Sequence, residues 1–151
     1  MIPRFGPVPE PGRRYRRRPG AYAVLIRDGR VLLTHQQEPD PEFQLPGGGV
    51  DPGESPVRAL HREVYEETGW TIAAPRRIGA YRRHAYMPEY DLFAAKLCEI
   101  WLARPILRLG PPSEQGHSAH WLSPWQALDA LPDAGSRIML CRVLRELGLM
   151  R

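Results

Sequence analysis

The sequence predicts an α/β (α+β) fold, a mixed sheet covered by helices on both faces. Three observations lead there: a strong hairpin signal at Asp28-Gly29, a capped helix after a run of glycines, and further strands followed by C-terminal helices. That order lacks the regular strand-helix alternation of a doubly wound parallel sheet. A chain of 151 residues suits one packed domain and is too short for two catalytic ones. No apolar run approaches the roughly 20 residues a membrane span needs. The first apolar stretch, Ala21 to Ile26, is too short for a signal-peptide core, so a cytoplasmic protein with no membrane partner is expected.

Taken in order, residues 1–19 read as a basic, Pro/Arg-rich N-terminal arm ahead of a single domain over 20–151. The net charge of +4 conceals an asymmetry: residues 1–20 hold six arginines and one glutamate, so the remainder is nearly neutral at −1. An arm of this kind suits a solvated tail, the preferred reading, with Tyr15 able to pin its last part. Attraction of phosphates or nucleic acid is the alternative. Residues 21–26 and 30–35 are antiparallel strands, because a two-residue turn favours Asp-Gly with positive φ. Residues 36–42 form a loop, and Phe43-Gln44-Leu45-Pro46 leads into the triple glycine at 47–49, read as a long turn.

Ser55 can cap a helix that starts with Pro56 and stops at Gly69. Residues 70–73, 77–85 and 92–103 are strand-like, the last two joined through a turn at 86–90, and 104–116 is a loop. A short strand at 120–122 and helices at 124–130 and 134–147 complete the chain. The last helix is expected to turn Ile138, Leu140, Cys141, Leu144 and Leu147 inward, and Trp121 and Trp125 are assigned to the core. Cys98 and Cys141 are far apart in apolar surroundings and read as reduced thiols, not a disulfide or metal knuckle.

The informative stretch is GGGVDPGESPVRALHREVYEETGW, residues 47–70. Glu63, Glu66 and Glu67 stand at i, i+3 and i+4 and share one side of the helix, next to the apolar stripe of Val57, Leu60 and Val64. Such spacing sets like charges against one another at roughly 0.2–0.5 kcal/mol per pair, and acids near a helix C-terminus oppose its dipole. A hard divalent cation would relieve the repulsion; so would solvent and the nearby Arg58 and Arg62. The helix alone does not separate a metal site from a solvated acidic patch. Three successive glycines favour the former, since they let the backbone approach a ligand and free a carbonyl to face it.

These residues resemble the Nudix box, Gly-x5-Glu-x7-Arg-Glu-U-x-Glu-Glu-x-Gly-U with U a bulky apolar residue. Gly48, Glu54, Arg62, Glu63, Glu66, Glu67 and Gly69 occupy all its fixed positions, and Trp70 stands where an aliphatic residue is usual. At roughly 5–7% usage per residue type, such a match arises by chance at about 10⁻⁸ or less per starting point. The resemblance implies an α/β/α sandwich and a hydrolase that directs water at a phosphorus atom within a diphosphate. It further implies Mg²⁺, with Mn²⁺ as a substitute, held by Glu66, Glu67 and the carbonyl of Gly47, with Glu63 as a further ligand or the base. Arg62 and Glu54 would brace helix and loop. A late-loop glutamate often assists in the family, and Glu114 is the candidate here.

The resemblance implies that specificity lies outside the box, to be sought in loops. Arg82, Arg83, Tyr86 and Tyr90 offer cations for phosphate and aromatic faces for a base, and Phe43 a pocket wall; a solvent-facing hairpin and a core phenylalanine explain them as well. The substrate class implied is a small nucleotide: a nucleoside triphosphate, oxidised or not, ahead of ADP-ribose or another nucleotide sugar, and then a 5′-triphosphate RNA. A non-catalytic nucleotide sensor is the rival, but it would be expected to have lost metal carboxylates. Many members pair as homodimers, yet no stretch here marks an interface.

Overall fold

The computed structural model describes residues 1–151. Strand β1 (Arg16–Arg27) turns through Asp28 and Gly29, both at positive φ (51° and 73°), into β2 (Arg30–Gln36). There follow β3 (Glu42–Gln44), β4 (Gly47–Gly49), α1 (Pro56–Thr68), β5 (Trp70–Met87), β6 (Leu92–Arg108), β7 (His117–Leu122), α2 (Pro124–Ala130) and α3 (Ala134–Glu146). The mixed sheet runs β3-β2-β1-β6-β5, with β4 added to β1 and β7 to β2.

The sheet forks, and the fork makes the site. β1 and β2 pair only beside their turn, at Ile26 with Val31 and Arg27 with Arg30. From there β1 runs parallel to β6 over Arg16–Leu25, whereas β2 takes β3 and β7 antiparallel. The short β4 fills the opening by pairing Gly47–Gly49 with Tyr22–Gly20.

Period-two alternation in β1 supplies both cores. Ala21, Ala23 and Leu25 join Leu32, Ile72 and Ala103 against Leu60 and Val64 of α1. Val24 joins Leu33, Tyr81, Cys98 and Ile100 against Leu131, Met139, Leu140, Val143 and Leu144 of the α2–α3 layer. Each fully buried Leu or Val contributes roughly 1.5–3 kcal/mol. Both cysteines are free, Cys98 buried and Cys141 half-buried. No helix is long and apolar enough to cross a membrane.

Several expectations need correction. The triple glycine is a strand, not a turn, because it closes the fork. Residues 70–73 and 77–85 belong to one strand, broken by register shifts around Ala74, which sits at φ 50°. Strand pairing extends to Arg108 and begins again at His117, leaving a loop of only 109–116. Ile138 and Leu147 are 48% and 47% exposed and Trp125 66%. The phase of α3 is set by Ser136, Met139, Leu140, Val143 and Leu144, a stripe at i, i+3, i+4, i+7 and i+8. Ile138 falls off that stripe.

The arm is not a solvated tail. Residues 16–19 are already strand, and the Phe5 N–H donates to the Arg82 carbonyl (2.9 Å) while the Arg82 N–H donates to that of Pro3 (2.8 Å). Phe5 packs edge-on to Tyr81, and Tyr15 does pin the segment, its ring 4.9 Å from His84 and 6.0 Å from Phe93.

Candidate active site

α1 forms where local chemistry dictates. The Ser55 side chain accepts from the Arg58 N–H, Pro56 fills the first turn, and Gly69 ends the helix at φ 78° with its N–H on the Tyr65 carbonyl. A side chain at Gly69 would also run into the Gly110 carbonyl, so that position serves the following loop as well as the cap. Leu60, Val64, Glu67 and Thr68 form the buried stripe. Glu67 therefore lies inside the stripe, not at its margin, while Glu63 and Glu66 flank it with side chains 15% and 38% exposed.

Arg62 is the hub that holds this arrangement. Its Nε and Nη2 donate to the two oxygens of Glu54 at 2.8 Å each, its Nη1 to Glu63 Oε1 at 2.9 Å, and its Nη2 also to the Gly49 carbonyl at 3.2 Å. Glu66 Oε2 and Asp51 Oδ2 complete the shell at 3.4 Å. The planar fork suits such bidentate contact. Hydrogen bonding to Arg62, with the Asp51 N–H, holds the Glu54 carboxyl down at about 2.

The adjacent glycines meet α1 from the other side. The Gly47 N–H donates to Glu67 Oε1 (2.9 Å), and the Glu63 carboxylate lies against Gly48, where an added Cβ would stand 2.6 Å from Glu63 Cδ and Oε2. The loop before β7 is clipped to the end of α1, since the N–H groups of Ser113 and Glu114 both donate to the Glu66 carbonyl at 2.9 Å. That clip delivers Glu114 to the cluster.

Two overlapping sets of ligand atoms result, each within 4.8 Å: Glu63, Glu66 and Glu114, and Glu67, Glu114 and His117. Four carboxylates thus converge with one bound guanidinium between them. Burial pushes the Glu67 carboxyl well above the usual carboxylate range, and Glu63, Glu114 and Glu66 push it further against the Gly47 hydrogen bond. Burial raises Glu63 too, against Arg62. Carboxylate oxygens are hard donors of the kind that hold a divalent cation, and a cation there would offset the repulsion.

His117, overlooked in the sequence, is nearly buried: Nδ1 lies 3.0 Å from Thr34 Oγ1 and 3.7 Å from Glu67 Oε2, and Nε2 3.8 Å from Glu114 Oε1. Its only local signal was proximity to Glu114, because Thr34 and Glu67 reach it through tertiary packing.

The cluster opens into a cleft of about 340 Å³ whose wall includes Arg83, Tyr86 and Tyr90, together with Tyr22, Arg18 and Lys96, which sequence reasoning missed. Arg82 is not in it: that side chain is exposed on the opposite face, and its backbone is engaged by the arm. Phe43 lines a smaller adjoining pocket of about 230 Å³ with Tyr81, Leu131 and Asp133. There Asp133 caps α3 and accepts from the hydroxyls of Ser136 (2.7 Å) and Tyr81, whose ring packs where Gly135 has no side chain.

A family model for the NUDIX domain matches residues 16–142. The 8-oxo-dGTP diphosphatase of Haemophilus influenzae is 30% identical over 131 residues, covering 82% of this chain and 90% of that protein. A Bacillus subtilis protein provisionally named as an 8-oxo-dGTP diphosphatase is 39% identical over 74 residues, 49% of this chain and half the length of that relative. Among solved structures, a NUDIX hydrolase from Nitrosomonas europaea superposes with a TM-score of 0.71 at 19% identity, over 90% of this chain and 97% of that one.

Proposed function

The chain belongs to the NUDIX family of hydrolases, and on that footing we propose that it is a Mg²⁺-dependent enzyme cleaving a phosphoanhydride bond in a nucleoside diphosphate-linked substrate, a nucleoside triphosphate foremost. The observation that carries the reading is the convergence of Glu63, Glu66, Glu67 and Glu114 within two overlapping 4.8 Å sets, with Glu63, Glu67 and Glu114 lining one cleft.

In this reading Glu66, Glu67, Glu114 and the carbonyl of Gly47 hold the ion, with Glu63 beside them. Bound there, Mg²⁺ supplies neutralisation of charge on the phosphoryl oxygens and acidifies water. The residues do the rest. Gly47 orients Glu67 through its N–H, and Arg62 fixes Glu63 by one oxygen, leaving Oε2 to accept a proton or a ligand bond. His117, between Glu67 and Glu114, is placed to steady both carboxylates. The names of the Haemophilus and Bacillus relatives support a triphosphate, oxidised or not.

The test is a substrate panel with Mg²⁺ and Mn²⁺. A triphosphate should give pyrophosphate and a monophosphate, whereas ADP-ribose would give AMP and ribose 5-phosphate. Glu66→Gln and Glu67→Gln should each lower turnover by orders of magnitude in a protein that keeps its circular dichroism. Wild-type turnover in both variants would refute the assignment.

A further inference from the structure

Three cations stand side by side across the middle of the sheet. Arg18 of β1 is in register with Lys96 of β6, and Lys96 with Arg83 of β5. All three half-buried side chains line the cleft that holds Glu63, Glu67 and His117. Residues in register on adjacent strands have Cβ atoms roughly 4.5–5.5 Å apart, and like charges so placed destabilise a sheet.

The row is poorly countered from within. Lys96 makes no hydrogen bond or ion pair, Arg18 rests on the Tyr90 ring at 4.9 Å, and Arg83 reaches Asp133 only at 3.9 Å. Asp133 is already engaged by Tyr81 and Ser136, and Glu89, the other carboxylate that favours the charged lysine, is exposed at the rim. Burial and the neighbouring Arg83 push the Lys96 ammonium down. An arrangement so disfavoured in the free protein suits an anionic ligand.

Position says which part of the ligand. Arg18 precedes Tyr22, the partner of Gly47, by four residues, or roughly 13 Å along the strand. The row therefore faces the carboxylate cluster across the cleft rather than sharing its ion. We infer that Arg18, Lys96 and Arg83 form a second anion subsite, which binds a phosphoryl group beyond the two joined by the scissile anhydride and so selects substrates with a third phosphate over nucleotide sugars. This rests on the hydrolase reading above and narrows it.

Binding of inorganic tripolyphosphate, measured calorimetrically with EDTA present, tests the subsite without turnover. Wild-type protein should bind it, more weakly as salt rises. Lys96→Met, which keeps the aliphatic stem, and Arg83→Gln should each weaken binding about tenfold or more, the loss of one charge-assisted contact; Glu67→Gln should not weaken it. In steady state Lys96→Met should raise KM for a triphosphate and leave that for ADP-ribose unchanged. Wild-type binding that is absent, or unaltered in both folded variants, overturns the subsite, as does an equal rise in KM for the two substrates. Failure of the hydrolase reading would show separately, as full turnover in Glu66→Gln and Glu67→Gln.

Discussion

Gly47, Gly48 and Gly49 are adjacent in sequence, yet alanine at each should have a different outcome. Gly48 is the informative one. Its φ is not in the left-handed region, so alanine brings no backbone strain, but the new Cβ would stand 2.6 Å from the Glu63 carboxylate. Ordinary carbon contacts begin at about 3.5 Å, so the carboxylate must retreat by roughly 1 Å while Arg62 still holds its Oε1. A misplacement of about 1 Å can cost on the order of 100-fold in rate. The group that moves is the end of a side chain, so stability should change by less than about 1 kcal/mol. Gly49→Ala meets nothing within 4 Å and serves as the control, expected to match wild type. Gly47→Ala should fail to fold properly, since φ is 149° and the Cβ would run into the Ala21 carbonyl and stand 2.6 Å from Tyr22 Cα. Steady-state product release and thermal melts on the three variants decide the matter. Wild-type turnover in Gly48→Ala, or an equal loss in Gly49→Ala, would refute the reasoning that Glu63 acts from this position.

Arg62→Lys should lower turnover and melting temperature together, because an ammonium cannot reach Glu54 bidentately while holding Glu63 and Glu66; kinetics and melts unchanged from wild type would contradict the hub. The Glu54 carboxyl, held at about 2 against an unfolded value near 4.3, contributes stability that is complete above the unfolded value and is lost as pH falls toward 2. Urea melts should show Glu54→Gln less stable than wild type at pH 7, with the difference closing between about pH 4.3 and 2; a gap constant across that range would mean the carboxylate charge is not its source. Removing residues 1–9 deletes the Phe5 contact with Tyr81 and the backbone pairing to Arg82, so the melting temperature should fall, whereas a true tail would leave it where it was.

The placement of Glu114 shows how far local reasoning reaches. A lone glutamate in a Pro/Gly-rich loop carries no local mark of purpose, and its position comes from two N–H groups on one carbonyl 48 residues earlier. Arg82 shows the opposite failure. It was a sensible pocket candidate by type, but strand alternation turns its side chain away from the face that Arg83 occupies, whereas Phe43 does line a pocket, the one adjoining the cleft.

What the sequence by itself determined was local. The cap at Ser55, the stop at Gly69, the turn at Asp28-Gly29 and the shared side of Glu63, Glu66 and Glu67 all follow from dihedral preference and helical period within a few residues. The tertiary structure alone decided what depends on distant strands: the parallel register that sets Arg18 beside Lys96, the fork that makes a strand of three glycines, the docking of the arm, and the burial of His117 between Glu67 and Glu114. The physical reason is that a register is chosen by the packing of whole faces, a sum over many weak contacts from remote parts of the chain, and no short window of residues carries that sum.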